Sequence, residues 1–212
     1  MSSPERIIQG SEAWFAVRCG KVTASRVADV IAKTKTGYGA SRANYAAELI
    51  AERLTQSTAP SFTNAAMQHG VEQEPHARAA YSFLHDVDVE EIAFVDHPEI
   101  AMSGASPDGL VGLDGLVEFK CPNTATHLDT LLSETVPGKY ITQMQWQMAC
   151  TGRAYCDFAS FDPRLPPSMQ LFVKRVERDA SLILDLEAQV ADFLAEIDAK
   201  VAALTERYAR AA

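Results

Sequence analysis

Apolar residues recur every three to four positions in several stretches of the chain, a spacing that places them on one face of a helix. The clearest example is the C-terminal stretch, where seven aliphatic residues between Leu182 and Leu204 keep this spacing. It predicts a long amphipathic helix over about 180–207, packed on the sheet or on a partner. The same period predicts helices over 11–18, 23–31, 42–54, 65–84 with an interruption near 70–75, and 139–150, where Thr151-Gly152 ends the helix.

Short apolar runs bounded by Gly, Pro, Asn and Asp predict strands in the second half of the chain. Residues 108–121 contain two such runs around the turn-rich segment 112–115, which predicts a β-hairpin. The order of helices, strands, helix, two strands and helix is typical of an α/β core with a mixed central β-sheet flanked by helices. The remaining strands are predicted over 87–95, 101–106, 154–161 and 169–176.

The length of 212 residues is natural for one compact domain. We expect residues 1–212 to form a single domain, with an N-terminal helical part over about 10–84, a sheet core over about 87–176 and the C-terminal helix. Hydrophobic residues make up 47% of the chain and charged residues 22%, which is ordinary for a globular protein.

The apolar runs are too short to span a bilayer, and residues 1–6 contain no apolar segment of the kind found in signal peptides. We therefore expect a cytoplasmic protein without a membrane partner. The four cysteines form no C-x-x-C pair, and in a reducing compartment they are expected to be free thiols. The five histidines show no i, i+4 spacing on a helix, which indicates packing or surface roles and not a zinc site.

The net charge of −9 argues against a protein that coats DNA nonspecifically, but the charge is unevenly distributed. Residues 18–42 contain six Lys and Arg residues and one Asp, whereas residues from Glu177 onward contain eight acids and four bases. A basic patch on an acidic body suits a protein that binds a polyanion in one place. An ordinary solvated helix face followed by a loop is an equally good interpretation of the charges alone.

The segment with the most specific chemistry reads P-D-x(9)-E-x-K and contains Asp108, Glu118 and Lys120. Residues at i and i+2 of a strand lie on the same face, so Glu118 and Lys120 should face one site while their neighbours face the buried side. Two carboxylates suit Mg²⁺, and a nearby ammonium can position or activate water for phosphodiester hydrolysis. Asp108 joins that face if the hairpin loop has an odd number of residues or contains a bulge. The ordinary alternative for the whole motif is a surface hairpin with an ion pair.

Two further groups of polar residues are candidates for the same site. Glu74 lies near a predicted helix start and could bind metal. Glu72 is the alternative candidate for that metal-binding position. An acid near a helix start more commonly interacts with the helix dipole. Tyr140, Gln143 and Gln147 share one helix face and could contact phosphates. A solvated helix face is the more common meaning of that second pattern.

Several short motifs with fitting gaps occur together along about residues 10–200, and in this order they resemble the lambda-type phage exonuclease family, also called the YqaJ-like viral recombinase family. That family belongs to the restriction-endonuclease-like PD-(D/E)xK superfamily, and the resemblance implies its α/β core. The motifs are R-x-G-x-x-T-A-S (18–25), G-x-x-x-E (70–74), S-P-D-G-L (106–110), E-x-K-C-P (118–122), Q-x-Q (143–145) and F-D-P-R (161–164).

The resemblance implies a single nuclease domain that acts as a processive 5′→3′ exonuclease on double-stranded DNA. Such an enzyme releases 5′-mononucleotides and leaves a 3′ single-stranded tail for homologous recombination of phage DNA. The family further implies a ring-shaped homotrimer, a single-strand annealing protein as partner, and a phage or prophage origin in a bacterial host cell. In such a ring only the channel need be basic, which fits the negative net charge.

The resemblance also implies the roles of the residues at the metal site. Asp108, Glu118 and the backbone carbonyl of Phe119 would hold Mg²⁺, with two ions expected per site, Asp108 bridging them, and Mn²⁺ as a substitute. Lys120 would orient or activate the attacking water. Glu74 would be the accessory acid near the metals.

Other positions match the family's contacts with the DNA end. Arg18 and Ser25 match the pocket for the 5′-terminal phosphate, where a guanidinium and a hydroxyl suit an anion. The family pattern can carry an Arg after E-x-K-C-P, and this chain has none there, so phosphate binding would depend more on Arg18 or use His127. The remaining matches are Tyr140 and Gln143 close to the pocket, Lys35 in a loop that contacts the DNA backbone, and Met67 as an apolar wedge between the terminal base pairs.

Two other functions compete with the exonuclease. A site- or structure-specific endonuclease could use the same fold, because a fold does not determine a function. A nuclease-inactive protein that binds DNA ends is the second alternative, although Asp108, Glu118 and Lys120 argue against it.

Overall fold

The computed structural model describes residues 7–35, 37–58 and 65–209, which form helices packed around a mixed β-sheet. The helices are α1 (Glu12–Arg18), α2 (Val27–Val30), α3 (Ala40–Thr55), α4 (Ala65–His85), α5 (Thr124–Ser133), α6 (Gly138–Thr151) and α7 (Ala180–Ala209). The strands are β1 (Val22–Thr23), β2 (Lys33–Thr34), β3 (Gly37–Tyr38), β4 (Val89–Glu90), β5 (Val95–Asp96), β6 (Ser103–Ala105), β7 (Gly109–Val111), β8 (Gly115–Lys120), β9 (Tyr155–Phe161) and β10 (Leu171–Glu177).

The main sheet has five strands in the order β10-β9-β8-β7-β4. Strands β8 and β9 are parallel, with Glu118 beside Phe158 and Lys120 beside Ser160, and the other pairs in this sheet are antiparallel. A smaller sheet has the order β1-β6-β5, and β2 with β3 forms a short hairpin. The predicted α/β architecture with a mixed sheet is therefore confirmed.

The two faces of β8 pack against different helices, as the alternation of its residues requires. Val117 and Phe119 face α4, where Tyr81 packs edge-on against the Phe119 ring. On the opposite face, Leu116 packs with Met144 and other buried residues of α6. The predicted alternation along 117–120 is confirmed, and it directs Glu118 and Lys120 toward α6.

The C-terminal helix packs on other helices and contributes to the same hydrophobic cluster as α2, α3 and α6. The predicted packing on the sheet is confirmed at Ile183, which clusters with residues of the main sheet, and packing on a partner stays a prediction. Two ion pairs, Arg42–Glu196 (2.7 Å) and Arg53–Asp198, further tie α3 to α7. The buried residues of α7 are Ile183, Leu186, Val190, Phe193, Leu194 and Ile197.

Three predicted elements differ from the structure because tertiary contacts outweigh local pattern. The interruption predicted at 70–75 is wrong: α4 continues through Pro75, and burial of Ala77 and Tyr81 offsets the lost hydrogen bond. The helix predicted over 23–31 is wrong at its start, where β1 pairs with β6 and a 3₁₀ turn (Ala24–Arg26) leads into α2. The strand predicted over 87–95 is divided into β4 and β5, which belong to different sheets.

Sequence analysis missed helix α5 and the short β2–β3 hairpin. Asn123 caps the start of helix α5, because its side-chain oxygen accepts a hydrogen bond from the Thr126 backbone N–H (2.9 Å). Part of the loop predicted over 56–64 lies outside the described residues. None of the helices within the described ranges is long and apolar enough to cross a membrane. All four cysteines are free, as predicted.

His97 is a buried histidine whose contacts favour the neutral ring. Its Nδ1 accepts hydrogen bonds from the backbone N–H groups of Glu99 (3.3 Å) and Ile100 (3.1 Å), so the proton lies on Nε2, 3.3 Å from Glu187. The ring stacks on Trp146 at a centroid distance of 4.9 Å. Burial lowers the pKa of His97 below its ordinary 6.5, although the charge of Glu187 acts in the opposite direction.

A group with a lowered folded-state pKa stabilises the protein above its unfolded pKa, and that contribution is lost as the pH falls. We expect the free energy of unfolding to decrease below pH 6.5 by up to about 1.4 kcal/mol per pH unit from His97. The variant His97→Asn keeps an acceptor but cannot titrate, so its decrease should be smaller. Urea denaturation between pH 5 and 8 measures this, and equal slopes for both proteins would contradict the assignment.

Candidate active site

Glu118 lies on β8 as a fully buried carboxylate surrounded by hydrogen-bond donors. Its Oε1 accepts hydrogen bonds from Gln143 Nε2 (2.6 Å) and Lys120 Nζ, and its Oε2 accepts one from Gln147 Nε2 (2.5 Å). These donors offset the free-energy cost of burying a charged group. The interpretation of the Tyr140, Gln143 and Gln147 pattern as a solvated face is wrong, since both glutamines hold this carboxylate.

The hairpin loop explains how Asp108 joins Glu118. Strands β7 and β8 pair Gly109 with Val117 and Val111 with Gly115, leaving the three-residue loop Gly112–Asp114. This odd count, one of the two possibilities that the sequence left open, places Asp108 opposite Glu118 on the same face. The Asp108 Oδ2 accepts the Phe119 backbone N–H at 2.7 Å, which fixes the carboxylate to the neighbouring strand.

The electrostatics of the site show that the acids are close to one another. Burial raises the pKa of Asp108 well above its ordinary value, and the charges of Glu118 and Glu74 raise it further. The positive charge of Lys120 acts in the opposite direction and lowers the pKa of Asp108. Burial alone would lower the pKa of Lys120, but the charges of Glu118 and Asp108 outweigh it and raise that pKa. Lys120 is therefore an ammonium that can orient a ligand or donate a hydrogen bond.

Of the two candidate acids on α4, Glu74 is the one at the site. Its pKa is raised by burial and then by Glu118, whereas Arg78 and Lys120 lower it. Arg78 Nη2 donates to Glu74 Oε1 at 2.8 Å, and Arg78 also pairs with Glu91. Glu72 is exposed and accepts a hydrogen bond from Gln68 instead. Sequence analysis missed Arg78, whose only signal was its i+4 spacing from Glu74.

A cleft of about 710 Å³ extends from the acids to the N-terminal part of the chain. Its walls include Asp108 and Glu74 at one end and Arg18, Ser25 and Met67 elsewhere. Several aromatic and aliphatic side chains also line it, so the cleft combines apolar walls with a few charged groups. The cleft therefore brings together two groups of candidate residues that are far apart in sequence.

Arg18 differs from the other basic residues that line the cleft, because it alone among them forms no ion pair with a carboxylate of the described residues. Its guanidinium lies 3.9 Å from the Trp14 ring centroid, and its Nη1 donates to Ser106 Oγ at 3.0 Å. Burial lowers the pKa of Arg18, which remains charged at neutral pH since a guanidinium titrates far higher. A partly buried guanidinium that forms no ion pair with the described residues is suited to binding an anion.

The basic patch predicted over 18–42 is largely neutralised within the protein. Lys21 pairs with Asp96 (2.6 Å), and Arg42 pairs with Glu196 (2.7 Å). Arg26 likewise pairs with two carboxylates, those of Asp29 and Glu48. Lys33 and Lys35 form no ion pair with the described residues. The positive charge available to a ligand in the cleft is therefore concentrated at Arg18.

The turn after α1 is held by two side chains of α3. The Gly20 N–H donates to Glu52 Oε2 (2.7 Å), and the Gly20 carbonyl accepts from Arg53 Nε (2.9 Å). Gly20 has φ +70°, and a Cβ there would lie 2.7 Å from Arg53 Cγ. The glycine of the R-x-G motif thus permits the close contact that fixes the position of Arg18.

A second set of hydrogen bonds joins α1 to the loop that carries Asp108. Ser106 Oγ accepts from Trp14 Nε1 (2.9 Å) as well as from Arg18. Gln9 Nε2 donates to the Pro107 carbonyl at 2.9 Å. Sequence analysis gave no role to Ser106, although it precedes Pro107-Asp108 in a quoted motif. These contacts connect Arg18 to the loop that carries Asp108.

The remaining predicted residues lie in different surroundings. Ser25 and Met67 are exposed on the cleft wall, whereas exposed Lys35 follows β2 outside the residues that line the cleft. The Tyr140 ring lies 5.1 Å from Lys120 Nζ, next to the acids. His127 is fully buried, so the suggestion that it binds phosphate is wrong in this conformation. Its Nδ1 contacts Ser160 Oγ (2.7 Å) and its Nε2 contacts the Met169 carbonyl (2.9 Å).

The donor atoms at the acidic site fit a magnesium ion, with part of its coordination left to other ligands. Within residues 7–35, 37–58 and 65–209, no three His, Cys, Asp or Glu side chains converge closely enough to hold a metal alone. Asp108, Glu118 and the carbonyl of Phe119 offer hard oxygen atoms, and Mg²⁺ characteristically adds water and substrate phosphate to one or two carboxylates. The mutual repulsion of the acids favours a bound cation.

Comparisons with known proteins identify a family model and several solved structures that are similar to this chain. The YqaJ-like viral recombinase domain matches residues 13–154. An alkaline exonuclease (LHK-Exo) from Laribacter hongkongensis is 54% identical, with a TM-score of 0.89 over 95% of this chain and 100% of that chain. The complex of LHK-Exo with dAMP gives the same values.

A phage-related exonuclease from Haemophilus somnus is 16% identical, with a TM-score of 0.70 over 87% of this chain and 96% of that chain. At this identity the likeness concerns the fold alone. None of the curated proteins matches the chain significantly.

The repulsion at the acidic site predicts that the variant Asp108→Asn is more stable than the unchanged protein. It replaces a partly buried carboxyl group beside Glu118 and Glu74, whose charges raise the pKa of Asp108, with a neutral amide whose oxygen still accepts the Phe119 N–H. We expect the free energy of unfolding to rise by about 1 kcal/mol at pH 8 with EDTA, measured by urea denaturation. Asp114→Asn, in the exposed hairpin loop, is the control and should change little. A loss of stability in Asp108→Asn would contradict the description.

Proposed function

The chain belongs to the YqaJ-like viral recombinase family, and we propose that it is a phage-type exonuclease that acts on the ends of double-stranded DNA. In finer terms, we propose a Mg²⁺-dependent, processive 5′→3′ activity that releases 5′-mononucleotides and leaves a 3′ single-stranded tail for recombination. The observation that carries the proposal is the cleft that holds both Asp108 and Arg18, a cation that forms no ion pair within the described part of the chain.

Arg18 is proposed to bind the terminal 5′-phosphate. Its guanidinium is held in place by Trp14 and Ser106, so little conformational freedom would be lost when a phosphate binds. Ser25 lies exposed on the same cleft and can donate its hydroxyl hydrogen. An end with a 5′-phosphate would therefore be preferred over one with a hydroxyl.

Hydrolysis is assigned to the acidic site. Asp108, Glu118 and the Phe119 carbonyl would hold Mg²⁺, which when bound supplies an activated nucleophile and stabilises the leaving oxygen. Mn²⁺ is a plausible substitute, and two ions per site are proposed. Lys120, an ammonium beside Glu118, would orient the water and the scissile phosphate. Glu74, which lines the same cleft as Asp108, would be the accessory acid near the metals.

Four other residues are proposed to contact DNA, and all of them except Lys35 lie near Arg18 or the acidic site. Met67 is exposed on the cleft wall and would act as an apolar wedge against the terminal base pair. Lys35 would contact the backbone, and Tyr140 and Gln143 lie close to the acids. A homotrimeric ring and a single-strand annealing partner are further proposals, which rest on family membership.

The test of this function is a digestion of linear duplex DNA labelled separately at its 5′ and 3′ ends, with closed-circular DNA alongside. We expect Mg²⁺-dependent release of the 5′ label as a mononucleotide, while the 3′-labelled strand and the circle remain intact. Lys120→Ala is the inactive control. Cutting of the circle would indicate an endonuclease, and no cutting with Mg²⁺ or Mn²⁺ would leave a DNA-end binder.

The proposed role of Arg18 predicts selectivity between two kinds of DNA end. In Arg18→Gln, the digestion rate on 5′-phosphorylated ends should fall by about 10- to 100-fold. This range corresponds to the loss of one hydrogen bond between charged groups. The rate on 5′-hydroxyl ends should change much less. Arg26→Gln, which removes a guanidinium already paired with carboxylates, should leave the ratio of the two rates unchanged. Equal losses on both ends in Arg18→Gln would show that Arg18 does not bind the phosphate.

A further inference from the structure

We propose that Gln147 is a positioning residue that fixes the orientation of the Glu118 carboxylate and thereby sets the affinity of the site for divalent metal. The inference rests on the proposed function, because it assigns Glu118 to the metal. The relevant observation is a fully buried amide whose hydrogen bond ends on a fully buried carboxylate. No motif in the sequence assigned this role to Gln147.

The two oxygen atoms of Glu118 have different donors. Oε1 accepts from both Lys120 and Gln143, and these two side chains are partly exposed. Oε2 accepts from Gln147 alone among the described residues, at 2.5 Å. Because Gln147 is the only one of the three donors that is fully buried, it is the donor least able to move when DNA enters. One lone pair of Oε2 remains available to a metal.

The direction of the Gln147 amide is determined by its neighbours. An ionised carboxylate can only accept hydrogen bonds, so the amide nitrogen must face Glu118. The amide oxygen then faces Cys156 Sγ at 3.8 Å, where a thiol can donate a weak hydrogen bond. Burial raises the pKa of Cys156 well above its ordinary value, so the thiol keeps its hydrogen. A flipped amide would place two oxygen atoms against each other at Glu118.

The surrounding structure keeps these three residues in place. Cys156 lies on β9 beside β8, and Gln147 projects from α6 onto the same face of the sheet. Partners that hold a metal-binding side chain commonly change metal affinity 10- to 100-fold when they are mutated. Without Gln147, Glu118 would keep its donors on Oε1 only, and its carboxylate could rotate about its terminal bond.

Gln145 provides a matched control on the same helix. Its side chain is also buried, and its amide bonds the Glu177 carbonyl (2.7 Å) and the Asp179 N–H (2.9 Å), joining α6 to the start of α7. Replacing either glutamine with methionine removes a buried amide of similar size. Both variants should lose stability, but only Gln147→Met removes a donor from Glu118.

The experiment titrates Mn²⁺ into the purified proteins without DNA by calorimetry and then measures the Mg²⁺ dependence of duplex digestion. In Gln147→Met we expect the Kd for Mn²⁺ and the half-saturating Mg²⁺ concentration to rise by about 10-fold or more. Gln145→Met should stay within about 2-fold of the unchanged protein. If Gln147→Met does not fold, Gln147→Asn, whose shorter side chain cannot reach Glu118, is used in its place.

The outcomes separate this inference from the proposed function. Equal metal affinities in the Gln147 and Gln145 variants would overturn the role of Gln147 while leaving a metal-dependent exonuclease intact. An unchanged protein that binds no Mn²⁺ and digests no DNA would instead overturn the proposed function. A selective loss of metal affinity in the Gln147 variant would support the inference.

Discussion

The close approach of the fully buried Glu118 and the partly buried Asp108 is the constraint on which the rest of the site depends. Two carboxylates removed from water repel each other, and each is tolerated only because neighbouring groups donate hydrogen bonds. The donors come from β8 itself, through Lys120 and the Phe119 N–H, and from α6, through Gln143 and Gln147. The three-residue hairpin loop places Asp108 beside the Phe119 N–H, and the packing of α6 on the sheet places two glutamine donors beside Glu118. The repulsion that remains between the two carboxylates would favour the binding of a cation between them.

Binding of the DNA end and hydrolysis are assigned to different parts of the chain that share one cleft. Arg18 ends a short helix that is anchored on one side through Gly20 to α3. On the other side, Ser106 ties that helix to the residues before Asp108. In the proposed function, the distance between a bound terminal phosphate and the metal ligands would thus be set by hydrogen bonds and not by a flexible linker. Such an arrangement would let each cut be made at a fixed distance from the end.

The sequence predicted much of this, and its failures have physical causes. Alternation along β8 predicted the shared face of Glu118 and Lys120, because strand geometry depends only on neighbouring residues. The predicted interruption of α4 at Pro75 was wrong. Tyr81 of that helix is buried against Phe119 of β8, and this packing outweighs the local helix preference. The basic patch was overestimated because its carboxylate partners, such as Glu196 for Arg42, lie far along the chain. For the same reason no local pattern reveals that Gln147 reaches Glu118.

The most direct test of the central claim is a crystal structure of the Lys120→Ala variant with a 5′-phosphorylated duplex and Ca²⁺. The account predicts the terminal phosphate within hydrogen-bond distance of the Arg18 guanidinium and Ca²⁺ on the carboxylates of Asp108 and Glu118. Both would occupy the same cleft in the same complex. A phosphate bound away from Arg18, or a cation bound away from these two carboxylates, would contradict the account.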